Sequence, residues 1–154
     1  MRKTISKDTP LSELTLRKYE KPENLSDRNL VRKLCLSLGL LQPGDSRDVM
    51  VDVFYALLIA KKEGNSLSSK EIEEKARTIR VANSLPLNGL ASSNIRRQIK
   101  RLKDLFLIDC KASSYRITEL SPTVEIFEEK IERYFLPSIL NRTKEYLKEI
   151  DRRF

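Results

Sequence analysis

The apolar residues Leu30, Val31, Leu34, Cys35, Leu38 and Leu41 recur every three or four positions, the period of a helix with one buried face. Ser26 or Asp27 stands where that helix needs a cap, and Arg28, Arg32 and Lys33 fall on the side expected to face water. Gln42-Pro43-Gly44-Asp45 reads as a turn. Beyond it, Val49, Met50, Val53, Phe54, Leu57 and Leu58 cover most of a helix circumference over residues 48–63, with Ser46 as its cap and Gly64 as its stop. This pattern predicts the central core helix. Ahead of these elements, residues 11–19 form a short helix candidate closed by Pro22. The first ten residues, with Arg2, Lys3 and Lys7, read as a loose basic arm.

Ser68-Ser69-Lys70-Glu71 has the spacing of a capping box, in which hydroxyl and carboxylate each satisfy the other residue's backbone N–H. The helix it starts carries Ile72, Ala76 and Ile79 on one face and must end before Leu85-Pro86. A further helix is expected from Ser92 or Ser93 to about Phe106. Its residues Ile95, Ile99, Leu102, Leu105 and Phe106 occupy a stripe about 120° wide, and Arg96, Arg97, Lys100, Arg101 and Lys103 fill the rest. Two β-rich runs, 107–110 and 115–118, then flank Lys111-Ala112-Ser113-Ser114 and predict a hairpin. From Ser121-Pro122 onward the pattern is helical again, with Val124, Phe127, Ile131 and Tyr134 on one face and an interruption expected at Pro137. Leu140, Thr143, Leu147, Ile150 and Phe154 then form a heptad-like seam that needs a partner surface.

Composition narrows the function. The chain has 154 residues and a net charge of +8, with 40% hydrophobic residues, which suits one compact domain with a real core. The charge is local: residues 92–116 carry seven basic and two acidic side chains, whereas 122–154 carry seven of each. Histidine is absent, which excludes Ser-His and Cys-His nucleophile systems, and the scattered glycines form no phosphate loop. No enzyme activity, metal or cofactor is therefore expected. Cys35 lies on an apolar helix face and reads as core; Cys110 has no resolving partner nearby. No run is apolar enough to span a membrane and the start is polar, so a cytoplasmic location is expected.

The order of core helix, capped helix, basic helix and hairpin carries a resemblance. Leu67-Ser68-Ser69-Lys70-Glu71-Ile72 resembles the start of the second helix in winged-helix transcription regulators of the broad MarR, ArsR and PadR kind. The run from Ser92-Ser93-Asn94-Ile95-Arg96-Arg97 through Phe106-Leu107-Ile108 is similar to their recognition helix and its exit into the wing. The resemblance implies a mainly α fold with a small β-hairpin: a winged helix-turn-helix over residues 48–119, flanked by the arm and helices of 1–47 and the helices of 120–154. Two departures stand out. Phe106 occupies a position where these families usually have glycine, and residues 77–91 are longer than their usual connection: either the helix is extended or a loop is inserted, read first as a plain surface loop capped by Leu85 and Leu87 and alternatively as a DNA contact through Arg77 and Arg80.

A helix fits the major groove of double-stranded DNA, its first residues reaching base edges while flanking cations neutralise phosphates. Following Ser92, the residues Ser93, Asn94 and Arg97 are the candidates for base edges. Arg96, Lys100 and Arg101 suit phosphates, and Lys111 and Arg116 would let the wing follow the backbone. The expected protein is a double-stranded DNA-binding transcriptional regulator, a homodimer through its C-terminal helices. The alternative is a winged-helix module that binds another protein in a larger assembly. A fold-back of the C-terminal seam onto the helix at 26–41 is the competing account of that seam.

Overall fold

In the computed structural model, which describes residues 7–154, the Ser26 hydroxyl accepts the Asn29 N–H at 3.3 Å and starts α1 (Asp27–Ser37). Arg2 and Lys3 of the expected arm lie outside the described residues, and Lys7 is exposed. The core helix α2 (Val49–Lys62) buries every residue from Val49 to Phe54. Gly64, at φ +73°, ends it in a Schellman arrangement: its N–H reaches the Lys61 carbonyl at 2.9 Å, and the Asn65 N–H reaches the Ala60 carbonyl at 2.8 Å. The capping box forms as expected at α3 (Ser69–Ala82), with Ser68 and Glu71 exchanging bonds of 3.0 and 3.2 Å. The basic helix is α4 (Ser92–Asp104), whose Ile95, Ile99 and Leu102 are buried.

The sheet has three antiparallel strands in the order β1 (Leu67–Ser68), β3 (Ser114–Ile117), β2 (Ile108–Lys111). The hairpin β2–β3 is present one residue away from its expected limits, with Lys111 paired to Ser114. Ala112 and Ser113 between them have φ of +51° and +62°, the two left-handed residues that a tight hairpin turn needs to match strand twist. The third strand, β1, spans two residues and is too short to leave a periodic signal. Its Leu67 is buried opposite Tyr115.

Three expectations for the N-terminal half are corrected. Residues 11–19 form no helix; they run as an irregular strap across the end of α1. The Arg17 N–H donates to the Ser37 carbonyl at 2.8 Å, and its guanidinium donates to the carbonyls of Leu36 and Leu41 at 2.8 and 3.2 Å. Bonding to carbonyls at and just beyond the end of α1 replaces the local bonds that a short helix would have made. Ser46 does not cap α2; Asp48 holds the N-cap position, without a side-chain cap bond. Finally, Arg28 is buried and Leu30 is exposed, the reverse of the expected sides.

The reason for that reversal is a buried ionic cluster. Arg28 donates from Nε and Nη2 to the two oxygens of Asp52 at 2.9 and 3.1 Å, and from Nη2 to Asp48 at 3.2 Å. From α3, Arg80 donates through Nη1 to Asp48 at 2.9 Å and Asp52 at 2.7 Å, and through Nε to the Pro86 carbonyl at 2.6 Å. Asp52 is 0% exposed and Arg80 2%. Two buried guanidiniums therefore meet two carboxylates, with the half-buried Arg32 reaching Asp48 at 3.6 Å from the rim, and among the described residues no buried side-chain N or O lacks a hydrogen-bond partner. The cluster joins α1, α2 and α3.

The C-terminal region also differs from expectation. α5 (Thr123–Ile126), a π-helical segment (Phe127–Phe135) and α6 (Leu136–Arg153) follow one another directly, so Pro137 does not interrupt the helix. It sits in the first turn of α6, where the change from i+5 to i+4 bonding accommodates a residue without an N–H. The π register also moves the buried face. Ile126 and Ile131, five apart, are buried, while Val124 and Tyr134 of the expected face are exposed. α6 buries no residue, so the seam does not fold back onto α1.

Removing one member of the buried cluster strands the charge of another. Asp52→Ala is expected to lower unfolding stability by about 3–5 kcal/mol, read as a fall in the urea midpoint; a loss below about 1 kcal/mol would show that the cluster does not hold the helices together.

Candidate nucleic-acid interface

α4 owes its position to both of its ends. At the start, residues 83–91 link it to α3, which ends at Ala82, so the long connection comprises an extended helix and a loop together. Arg80 grips that loop at Pro86 and is buried, which removes it from the alternative in which it contacts DNA; Arg77 is exposed. Leu90 anchors the loop in the core. At the other end Phe106 adopts φ +62°, left-handed as the usual glycine would be. Its ring is half-buried and meets Tyr134 and Phe135 edge-on, with centroids 6.5 and 6.0 Å away.

Along one flank of α4 the polar side chains bond to one another. Asn94 donates through Nδ2 to the Gly89 carbonyl at 2.7 Å and accepts at Oδ1 from Gln98 at 3.0 Å. Arg101 donates to Gln98 Oε1 at 3.0 Å and to the Gly39 carbonyl at 3.4 Å. This rail stitches α4 between the 83–91 loop and the turn after α1. Asn94 and Arg101, expected on base edges and phosphates respectively, are therefore engaged within the fold.

The outward ridge is different. Ser93, Arg97 and Lys100 lie within about 60° of one another around the helix, with Arg96 and Lys103 beside them, and all five are exposed. Arg97 and Lys103 have no ion-pair partner among the described residues. Arg96 rests on Ser92, at 3.3 Å from its carbonyl and 3.4 Å from its hydroxyl. Lys100 pairs with Asp104 at 3.0 Å, an exposed contact that gives way readily to a better anion. The N-cap residue is Ala91, which has no side chain to accept from the first-turn N–H groups, so that end of the helix favours an anion.

On the hairpin Lys111 is exposed beside the turn. Arg116 is held instead by Asp109 across the strands, at 2.8 and 3.4 Å, while the Glu119 N–H donates to the same carboxylate at 2.9 Å. Burial pushes the Asp109 carboxyl up, but these bonds outweigh it and hold it below the usual carboxylate range. Asp48 behaves alike: burial raises it, and Arg80 and Arg28 together bring it down. A groove of about 690 Å³ opens beside the rail, with Arg47, Arg97 and Arg101 among its lining residues. Sequence reasoning missed Arg47, which stands alone in a polar turn, and the buried cluster. The signal for the latter was Asp52, a lone charge inside an apolar run.

Among the described residues no group of three or more His, Cys, Asp or Glu side chains is arranged to hold a metal ion, and no helix is long and apolar enough to cross a membrane. The chain matches no family model, no curated protein and no solved structure.

Two expectations follow. Because Asp48 and Asp109 titrate lower in the folded chain than in the unfolded one, the stability they contribute is complete above the unfolded value of about 4 and is lost as pH falls through the lowered values. Urea midpoints should thus drop between pH 6 and pH 3, and less so in Asp109→Asn. Burial pushes the Cys35 thiol up to about 12, whereas Cys110 is exposed. An aromatic disulfide reagent at pH 8 should modify one thiol in the native protein and two in urea; rapid modification of both would contradict the buried position of Cys35.

Proposed function

We propose that residues 48–119 form a winged helix-turn-helix and that the protein is a double-stranded DNA-binding transcriptional regulator, acting as a homodimer through its C-terminal helices. The order α2, β1, α3, α4, β2, β3 and the strand order β1-β3-β2 support the winged reading. The observation that carries the DNA reading is the outward ridge of α4, where exposed cations stand on a helix whose opposite face is core and whose flank is braced. A helix fixed in this way presents side chains to a groove without first having to order itself. In this reading Arg97 reads a base edge from its central place on the ridge. Arg96, Lys100 and Lys103 neutralise phosphates, and Lys111 lets the hairpin follow the adjacent backbone. Asn94 and Arg101 act by holding the helix, and Ser92 and Ser93 place its first turn against the duplex.

The exposed seam on α6 favours one second reading, a module whose seam docks on a different protein. Light scattering on a sizing column separates the two, since the regulator is expected as a dimer and the module as a monomer.

Fluorescence anisotropy with a labelled duplex tests the DNA reading. About four phosphate contacts from each copy, about eight in the homodimer, predict a roughly 10,000-fold loss of affinity between 50 and 200 mM salt. Absent binding, or binding indifferent to salt, overturns the proposal. Arg97→Ala should cost about 1–3 kcal/mol per half-site and blur sequence preference, whereas Lys100→Ala should weaken all sequences alike and reduce the salt slope by about 1 per copy, about 2 for the homodimer.

A further inference from the structure

On α6 the arginines already have partners within the helix. Arg142 pairs with Glu145, and both Arg152 and Arg153 pair with Glu149. The seam itself is open: Leu140, Leu147 and Ile150 are each about half exposed and Phe154 is 97% exposed. At 100° per residue, Lys144 and Asp151 border the seam on one side, and Ile139, Tyr146 and Arg153 border it on the other. Lys144 and Asp151 have no ion-pair partner among the described residues. They have opposite signs, lie seven residues apart, and flank Leu147.

This pattern discriminates between the two ways of pairing the helix with its own copy. A parallel pair sets one border against the opposite border five residues on, so that Lys144 meets the partner's Ile139 and Asp151 meets the partner's Tyr146. No charge is then neutralised. An antiparallel pair sets like borders together. With Leu147 against the partner's Ile150, and Phe154 against the partner's Thr143, Lys144 faces the partner's Asp151 and Asp151 faces the partner's Lys144. Across the other border Tyr146 meets the partner's Arg153, which is already paired with Glu149 of its own helix, so the Lys144–Asp151 pairs alone discriminate.

We infer that two copies of this chain pair antiparallel through α6 in this register, about a two-fold axis midway between Leu147 and Ile150. The inference rests on the homodimer reading above and gives it a geometry. Leu136 lies 12.5 residues from the axis, so the two Leu136 ends stand about 38 Å apart at 1.5 Å per residue. Phe106, at the exit of α4, packs on Phe135 immediately before that end. The exits of the two basic helices are therefore spaced along the pair on the scale of one duplex turn, about 34–36 Å.

Spin labels on Ser138→Cys in a full-length Cys110→Ser background test the register, since Cys35 is buried and does not react. The antiparallel pair puts the two labels about 35–40 Å apart, and a parallel pair about 20 Å. The longer distance supports the register. The shorter distance overturns it while leaving the homodimer standing, and the absence of any dipolar coupling in protein shown to be monomeric overturns both. Charge exchange gives an independent reading by sedimentation equilibrium. Lys144→Asp and Asp151→Lys should each weaken association several-fold, and the double variant should recover it to within about twofold. A double variant weaker than either single one overturns the antiparallel register.

Discussion

The fold turns on the contact of two arginines with two aspartates inside an otherwise apolar core. α2 is hydrophobic over most of its circumference, so apolar packing holds it in place without fixing its rotation about its own axis. Asp48 and Asp52, one turn apart, supply that fixed direction. Each meets guanidinium nitrogens from α1 and from α3, and the distances leave little room for rotation or slippage. Hydrophobic replacements of similar volume often match such a cluster in stability. In this chain it also sets the mutual orientation of three helices, which an apolar contact would define more loosely.

That orientation reaches the candidate interface by a short path. Arg80 uses one edge for the carboxylates and the remaining Nε for Pro86, so the loop before α4 is tied to the same cluster. Gly89 then accepts from Asn94, and the rail through Gln98 and Arg101 carries the brace along α4 to Gly39. Gly39 lies at φ +72°, and a Cβ there would come within 2.6 Å of Thr15, so the strap that caps α1 packs on the residue that ends the rail. The basic residues of 92–116 consequently divide into two groups. Arg101 and Arg116 bond to the fold, and Arg96, Arg97, Lys100, Lys103 and Lys111 remain turned outward.

The features legible in the sequence are those encoded by neighbouring residues. The capping box at Ser68 and Glu71, the Gly64 stop, the buried stripe of α4 and the hairpin depend on spacings of a few positions. Features created by distant partners were not legible. Arg28 sits on the polar side of its helix by periodicity and becomes buried only because Asp48 and Asp52 approach from α2. The strap at 11–19 has enough leucine to suggest a helix, but Arg17 bonds better to the carbonyls ending α1. Asn94 has suitable chemistry for an adenine edge, and only the placement of Gly89 diverts it. The π segment left no local signal, since its Ile126–Ile131 spacing is visible only once that register is assumed.

Phe106 links the braced interface to the C-terminal helix, and the energies involved are closely matched. A left-handed conformation costs a residue with a side chain roughly 1–2 kcal/mol. Two edge-on aromatic contacts return about 0.5–1.5 kcal/mol each, and the Thr118 hydroxyl donates to the Phe106 carbonyl at 2.6 Å. Glycine would relieve the backbone and lose both ring contacts, loosening α4 from the segment that leads into α6. Phenylalanine accepts the strain and makes the exit of the basic helix continuous with the helix that carries the open seam. Any reorientation of α6 must then either move the ring out of its edge-on contacts or carry α4 with it.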